Sequence, residues 1–256
     1  MKKFNLQNVG LFFISLVMFS SCLDEGRNIQ GGTAFGVVRY DYATGLTLLD
    51  VADASFYSVR FQDTADGACY FVQYELDYSK PENASDRVLA SGYYSATILA
   101  REEVDRWGMS YFFTDTSMVL TDEIAIIEPT WDGECDYVKG MFFILSTLKM
   151  PSDQRMKWNM SFDSENMVTE ERGLRFYDVY LRATIQHQGV RSPEETVVAN
   201  AFNMGYYLDM AAKQEKGLGN NSFMLRFHYV SEIKDEQITW STQNSVEVPV
   251  DVVLID

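Results

Sequence analysis

Three thiols, two imidazoles and a surplus of carboxylates are the groups in this chain that could do chemistry, and one of them stands in a recognisable setting. Cys22 closes a segment in which Lys2 and Lys3 precede an apolar run from Val9 to Phe19, with Ser20 and Ser21 ahead of the thiol. That order matches a secretory signal ending in a lipid-attachment site, the thiol being the acceptor. The run is about 11 residues long, whereas a helix needs roughly 20 apolar residues to cross a hydrocarbon core. It is the hydrophobic part of a signal, not an anchor.

The other groups point to no reaction. Cys69 and Cys135 are the remaining thiols. An oxidising, exported compartment permits a bridge between them, and the alternative is a pair of small buried hydrophobes. His187 and His228 lie 41 positions apart, so they cannot supply a zinc pair at the four-residue spacing of a helix. No phosphate-cradling glycine loop, paired-cysteine motif or nucleophile elbow is present either. No metal, cofactor or catalytic residue is therefore expected. His187 reads as a solvated residue near a strand end. Glu128, Asp132 and Glu134 gather around Trp131, and a glycoside hydrolase needs two carboxyls about 5 to 10 Å apart. The plainer reading of that cluster is an acidic turn beside a core tryptophan.

Aromatic side chains are the better lead to a ligand, because rigid rings supply contact area at small entropic cost. Trp107 and Trp131 are the foremost candidates, with Trp158, Trp240, Tyr93, Tyr94, Tyr206 and Tyr207 behind them. Where such tyrosines are adjacent in a strand, they must point to opposite faces.

Charge narrows the partners. Without Lys2 and Lys3, the 21 basic residues fall to 19 against 37 acidic ones, a net charge of −18. Such a field repels phosphate backbones, so nucleic acid is excluded as an expected partner. A hydrophobic share of 46% and an aromatic share of 14% fit a folded chain with a substantial core.

The elements that must position these residues are strands. A period of two, carried by β-branched and aromatic residues, runs through Thr33 to Tyr40, Phe56 to Phe61, Cys69 to Leu76, Tyr93 to Leu99 and Ile124 to Trp131. It returns in Val138 to Leu148, Arg155 to Phe162, Arg175 to Gln186, Phe223 to Val230 and Val246 to Ile255. Tyr206 to Lys216 has helix formers with Gly217 as a candidate C-cap, although Val197 to Tyr207 also reads as a strand. The pattern predicts an all-β, mainly antiparallel protein. The expected segments are a signal at 1–21, a lipidated tether at 22–30, a small OB-like β-barrel at 31–118 and a β-sandwich at 119–256.

The first 22 residues resemble the export signal of bacterial lipoproteins. That resemblance implies transfer of a diacylglycerol to Cys22, cleavage before it and acylation of the new amino group, palmitate being the expected chain. Phe19 stands where leucine is usual. The acidic pair Asp24-Glu25 is similar to the surface-export signal of Bacteroidetes lipoproteins. Further on, Asp66-Gly67 before the alternating strand Cys69 to Leu76, then Asp122 to Trp131, Tyr137 and Phe142-Phe143-Ile144-Leu145, resemble the NigD-like lipoproteins of Bacteroidetes. Val138-Lys139-Gly140 departs from the Leu-Asn pair expected after Tyr137. This resemblance implies an N-terminal OB-type barrel, a C-terminal sandwich and a place on the outer membrane, and it brings no catalytic residues. The expectation is a non-catalytic lipoprotein, held on a membrane by its lipid and binding a protein or polysaccharide. An immunity or envelope-protection role in a bacteriocin-type locus is the alternative, and a glycan hydrolase comes third.

Overall fold

The first unit is built from β1 (Ile29–Asp41), β2 (Leu46–Asp50), β3 (Ser55–Tyr57), β4 (Cys69–Asp77) and β5 (Tyr94–Ser110), with a short helix α1 (Ser85–Ser91) between β4 and β5. The structure is a computed structural model and describes residues 28–111, 115–130, 137–243 and 245–253. β1 is long because it serves two partners. Ile29 to Val37 pair with β4, while Val37 to Asp41 pair with β2. β2 pairs with β3, β3 runs parallel to β5, and β5 returns to β4, which closes a ring of five strands. Gly36 lies where β1 passes from one partner to the other. A β-carbon there would stand 2.8 Å from both the Asp50 carbonyl oxygen and the Leu49 side chain, so the close approach requires glycine.

Alternation fills the ring. Val38, Leu49, Phe56, Tyr70, Val72, Leu76, Ala96 and Ile98 point inward and form its core together with Phe61. Phe61 does not arrive on a strand. A strand from Phe56 to Phe61 would turn Phe61 outward, since residues an odd number apart face opposite sides. The chain instead leaves β3 at Tyr57 and makes a 3-10 turn over Val59–Phe61, which brings the ring inside with no exposed surface. The Arg101 guanidinium lies 5.4 Å over both Phe61 and Tyr70 and donates to the Arg60 carbonyl.

The chain divides into two units, the described residues up to Asp105 with 137–139, and those from Arg106 onward. The second contains β6 (Glu123–Ile124) and β7 (Glu128–Thr130), whereas β8 (Tyr137–Val138) goes with the barrel near β1. There follow β9 (Met141–Met150), β10 (Arg155–Ser161), β11 (Val168–Glu171), β12 (Leu174–His187), β13 (Glu194–Asn203), α2 (Gly205–Leu218), β14 (Ser222–Lys234), β15 (Gln237–Thr242), β16 (Val246–Pro249) and a last turn α3 (Val250–Val253).

These strands make a sandwich. β12 is the centre of one sheet, antiparallel to β10 and β11 and parallel to β14, which carries β15 and β16 on its other edge. The other sheet pairs β9 with β13 and β7. Phe142 of β9 meets Phe227 of β14 at 5.1 Å across the interior. Tyr177, Val179, Leu181 and Ala183 alternate inward along β12, each with no exposed surface.

Several expected strands end early for local reasons. Ile124 to Trp131 splits because Ile126 donates to Val230 in one sheet while Ile127 donates to Thr147 in the other. Val246 to Ile255 gives only β16, since Pro249 has no N–H for a ladder and a helical turn follows it. Helix and strand both form around residue 204, as β13 and then α2, and the left-handed cap is Gly219 (φ 84°) in place of Gly217.

Phe61→Ala should lower the stability of the first unit by about 3–5 kcal/mol, as expected for emptying a buried phenylalanine site. Leu89→Ala, on the exposed helix α1, should change it by less than about 0.5 kcal/mol. Urea unfolding monitored by far-ultraviolet circular dichroism compares the two.

Candidate functional site

The face of β1, β2 and β3 turned away from the barrel core carries polar and aromatic side chains around a covered centre, where Val37, Leu48 and Asp50 are buried. Pairing places Arg39 opposite Leu48 and Leu48 opposite Tyr57, so these three share a face, as do Val37, Asp50 and Ser55. Arg39 donates from Nε to Asp50 Oδ2 at 2.7 Å and from its second terminal nitrogen to Oδ1 at 3.3 Å, and the Ser55 hydroxyl donates to Asp50 Oδ1 at 2.6 Å. Asp50 is buried, while the Arg39 side chain is 40% exposed. The remaining terminal nitrogen lies 3.8 Å from Asp41 Oδ1, so the fork is held in one orientation between two carboxylates. On the far side of Leu48, the half-buried rings of Tyr57 and Tyr93 lie 5.8 Å apart and tilted by 42°. Tyr93 comes from the connection between β4 and β5, and Tyr94 packs edge-on against Tyr78.

A second network crosses the outer face of the β12 sheet. Asp178 of β12 accepts from Arg226 Nε at 2.5 Å and from Arg226 Nη2 at 3.0 Å, and from the Thr169 hydroxyl at 2.7 Å. His228 Nε2 lies 2.7 Å from Asp178 Oδ1, and its Nδ1 lies 2.9 Å from the Thr242 hydroxyl. Arg226 also donates to Glu171 at 2.8 Å. Burial opposes ionisation of Asp178, but the hydrogen bonds from His228, Arg226 and Thr169 outweigh it and hold the carboxyl well below its ordinary value. The string Thr242–His228–Asp178 has the order of a hydrolytic relay. Its carboxylate is committed to Arg226, however, and both imidazole nitrogens are engaged. It acts as a stitch across β11, β12, β14 and β15.

Next to it, Arg182 and Glu123 are an ion pair with both side chains fully buried. Arg182 donates to Glu123 Oε1 at 2.5 Å and Oε2 at 2.7 Å and to the carbonyls of Asp115 and Met118.

The tryptophans named from the sequence serve the framework. Trp107 is half-buried on β5 and its indole donates to Asn200 Oδ1 at 2.9 Å. Trp158 is buried. Trp240 donates to the Thr116 carbonyl and lies under Arg182, with Tyr180 edge-on at 5.5 Å. Tyr206 and Tyr207 stand on a helix, the first exposed and the second buried. Glu128 is exposed on β7, and His187 is exposed at the end of β12. Cys69 is buried on β4. Cys22, Trp131, Asp132, Glu134 and Cys135 lie outside the described residues. Sequence reasoning reached Tyr93 but not Tyr57, Arg39 or Asp50, whose grouping exists only once the barrel closes. Among the described residues no group of three or more His, Cys, Asp or Glu could hold a metal ion.

Residues 26–102 match the family model of the lipoprotein OB domain. This stretch is similar to a lipoprotein OB domain. The matched residues span the barrel from the start of β1 into β5. The resemblance to Bacteroidetes lipoproteins read from the sequence holds here. Among solved structures, an uncharacterized protein of Parabacteroides merdae is 20% identical, with a TM-score of 0.74 over 86% of this chain and 99% of its own. A proposed lipoprotein of Bacteroides fragilis is 10% identical, with a TM-score of 0.55 over 85% and 97%. A NigD-like immunity protein of Bacteroides caccae is 12% identical, with a TM-score of 0.47 over 85% and 97%. The first two likenesses show that the fold beyond the matched residues is shared as well. No curated protein matches the chain.

The depressed Asp178 carboxyl sets a sign for pH dependence. A group whose folded value is lowered adds stability that is complete above its unfolded value, about 3.9, and is lost as pH falls toward the folded value. Asp178→Ala should cost about 3 kcal/mol at pH 7, because it leaves His228 without its carboxylate and Arg226 with the exposed Glu171 alone. The deficit should shrink between about pH 5 and pH 3. Urea midpoints for both proteins across that range measure it.

Proposed function

We propose that this protein is a non-catalytic lipoprotein of the outer membrane, anchored through Cys22, whose barrel binds a glycan at the accessible rim formed by Tyr57, Tyr93 and Arg39. One observation carries the reading. Tyr57 and Tyr93 form a tilted pair of half-buried rings on the same side of the barrel as a guanidinium, Arg39, that Asp50 and its neighbours hold in place. Rings take up the apolar faces of a pyranose, and a fixed fork of N–H donors takes up its hydroxyls. The strongly acidic chain favours a neutral or basic saccharide over an anionic one.

Anchoring is supported by the signal-like order ending in Cys22 and by the likeness of the barrel to a lipoprotein OB domain. Display on the cell surface is supported by Asp24-Glu25, which places acids two residues after the thiol.

Two measurements follow. The mass of the mature N-terminal peptide should carry acyl chains on Cys22, and Cys22→Ala should leave the protein in the soluble fraction. Retention of the Ala variant on membranes would refute the anchor. In a glycan array with the purified protein, Tyr57→Ala and Tyr93→Ala should each weaken the best ligand about thirty-fold, the equivalent of about 2 kcal/mol. A ligand whose affinity is the same for all three proteins would show that it binds elsewhere.

A further inference from the structure

The tether expected after Cys22 is short, and the place where it joins the barrel is known. Six residues, Leu23 to Asn28, separate the thiol from β1 and reach at most about 22 Å when fully extended. Asn28 is fixed to one end of the barrel, because its carbonyl accepts from the Tyr78 N–H at 2.7 Å and the next residue, Ile29, pairs with Asp77. β1 then runs thirteen residues, about 40 Å of strand, to the opposite end. There the Asp41–Leu46 turn and the 3-10 turn at Val59 lie together, tied by the Gln62 amide on the Thr47 carbonyl.

Both ends carry exposed apolar or aromatic side chains, Tyr40, Tyr42 and Val59 at the far one, so it is the tether that distinguishes them. Ile29 and Tyr78 are exposed at the tethered end, and the Tyr78 hydroxyl donates to Gln30 at 2.9 Å while its ring packs on Tyr94. The connection from Tyr78 to Tyr93 is fastened at the same end by Asn83, whose side chain bonds the Asp77 carbonyl and both backbone groups of Ser95. It carries helix α1, none of whose residues is buried and whose Leu89 is 89% exposed. Val88 is half-buried, so Leu89 stands on the side of the helix turned to solvent. The connection holds two cations, Lys80 and Arg87, against two anions, Glu82 and Asp86, so it is neutral in a chain of net charge −16 as written. Neutrality with exposed leucine, isoleucine and tyrosine is the composition that meets a headgroup layer with least repulsion.

We propose that this end of the barrel, with Ile29, Tyr78 and helix α1, rests on the lipid bilayer to which the chain is anchored. The occupant is a lipid surface, since a tether of at most about 22 Å keeps Asn28 within that distance of the acyl chains. The inference rests on Cys22 being the lipidated residue.

Hydrogen exchange read by mass spectrometry tests it on the full mature protein. The purified lipidated protein is bound to vesicles of phosphatidylethanolamine and phosphatidylglycerol and compared with Cys22→Ala protein in solution. Peptides covering residues 85–93 should exchange about ten-fold more slowly on vesicles, while those covering 41–46 and 58–64 should be unchanged. Leu89→Asp, on vesicles, should remove most of that protection. Equal exchange in 85–93 on vesicles and in solution, or equal protection at both ends, overturns the proposal. Protection that disappears when the surface density of protein is lowered belongs to a contact between copies and also overturns it. Flotation with the vesicles separates the two premises. Protein that floats but lacks protection defeats the bilayer contact alone, whereas protein that does not float defeats the anchor and the contact together.

Discussion

Closure of the barrel on β1 is the constraint from which the rest of the first unit follows. One strand must offer its edge to β4 over nine residues and to β2 over five, turning from one to the other at Val37. A straight strand with side chains throughout could not make that turn, which is why Gly36 meets the Asp50 carbonyl and Leu49 at a distance no β-carbon would tolerate. The same turn brings Val37, Arg39, Leu48, Asp50 and Tyr57 onto one outer face. Closure also leaves the ring open at its ends, and Phe61 fills one of them. The core and the polar face are thus two consequences of a single pairing pattern, and a change that loosened the turn would disturb both.

In the second unit, polar groups do the specifying that closure does in the first. Two sheets with apolar inner faces could slide on each other with little loss. Arg182 and Glu123 do not bridge the two but pin β6 and the segment before it to β12 on one of them. A fully buried ion pair gains stability only when its remaining donors and acceptors are satisfied, and here the guanidinium reaches both carboxylate oxygens and two carbonyls, with the Trp240 ring 5.5 Å away. The carboxylate in turn accepts from the Leu120 N–H. The pair thereby fixes residues 115–123 against β12. Glu215, buried in α2, does the same from the inner side by accepting from Tyr177, Arg175 and Asn220. Apolar burial supplies the free energy, and these few bonds choose the arrangement.

The strands were legible in the sequence wherever period two was sustained by β-branched and aromatic residues, as in Cys69 to Leu76 and Arg175 to Gln186. They were hidden where burial on both sides abolished the alternation, as in Leu46 to Asp50, of which Thr47 to Asp50 are all buried. β5 continues to Ser110 past the expected end at Leu99 because its charged second half, Arg101 to Arg106, is set by pairing and not by propensity. The site was less legible than the fold. Asp178 lies 48 and 50 positions from Arg226 and His228, and Arg39 lies 11 from Asp50. No local pattern marks such pairs. Tryptophan was a poor guide for a related reason. Its N–H must find an acceptor when it is buried, so Trp107 and Trp240 are drawn into the framework, while the smaller tyrosine rings remain at the surface.

Charge separates holding from recognition. A strongly acidic chain gains nothing electrostatically from an anionic membrane, so whatever keeps it there must be apolar. Acyl chains on a single residue would meet that need without any basic patch, and the surface would then be free to carry acids that discourage unspecific contact. Under such an arrangement the few places where the acidity lapses become informative. Two of them lie on the barrel. One is the ring pair of Tyr57 and Tyr93, across β2 from Arg39, and the other is the balanced connection that carries Leu89. The first has donors and rings in a fixed geometry, which suits a ligand of defined shape, whereas the second has exposed apolar side chains on an unburied helix, which suits a fluid surface. If each meets the partner proposed for it, shape selects at one and polarity alone at the other, and Tyr93 stands at the border between them.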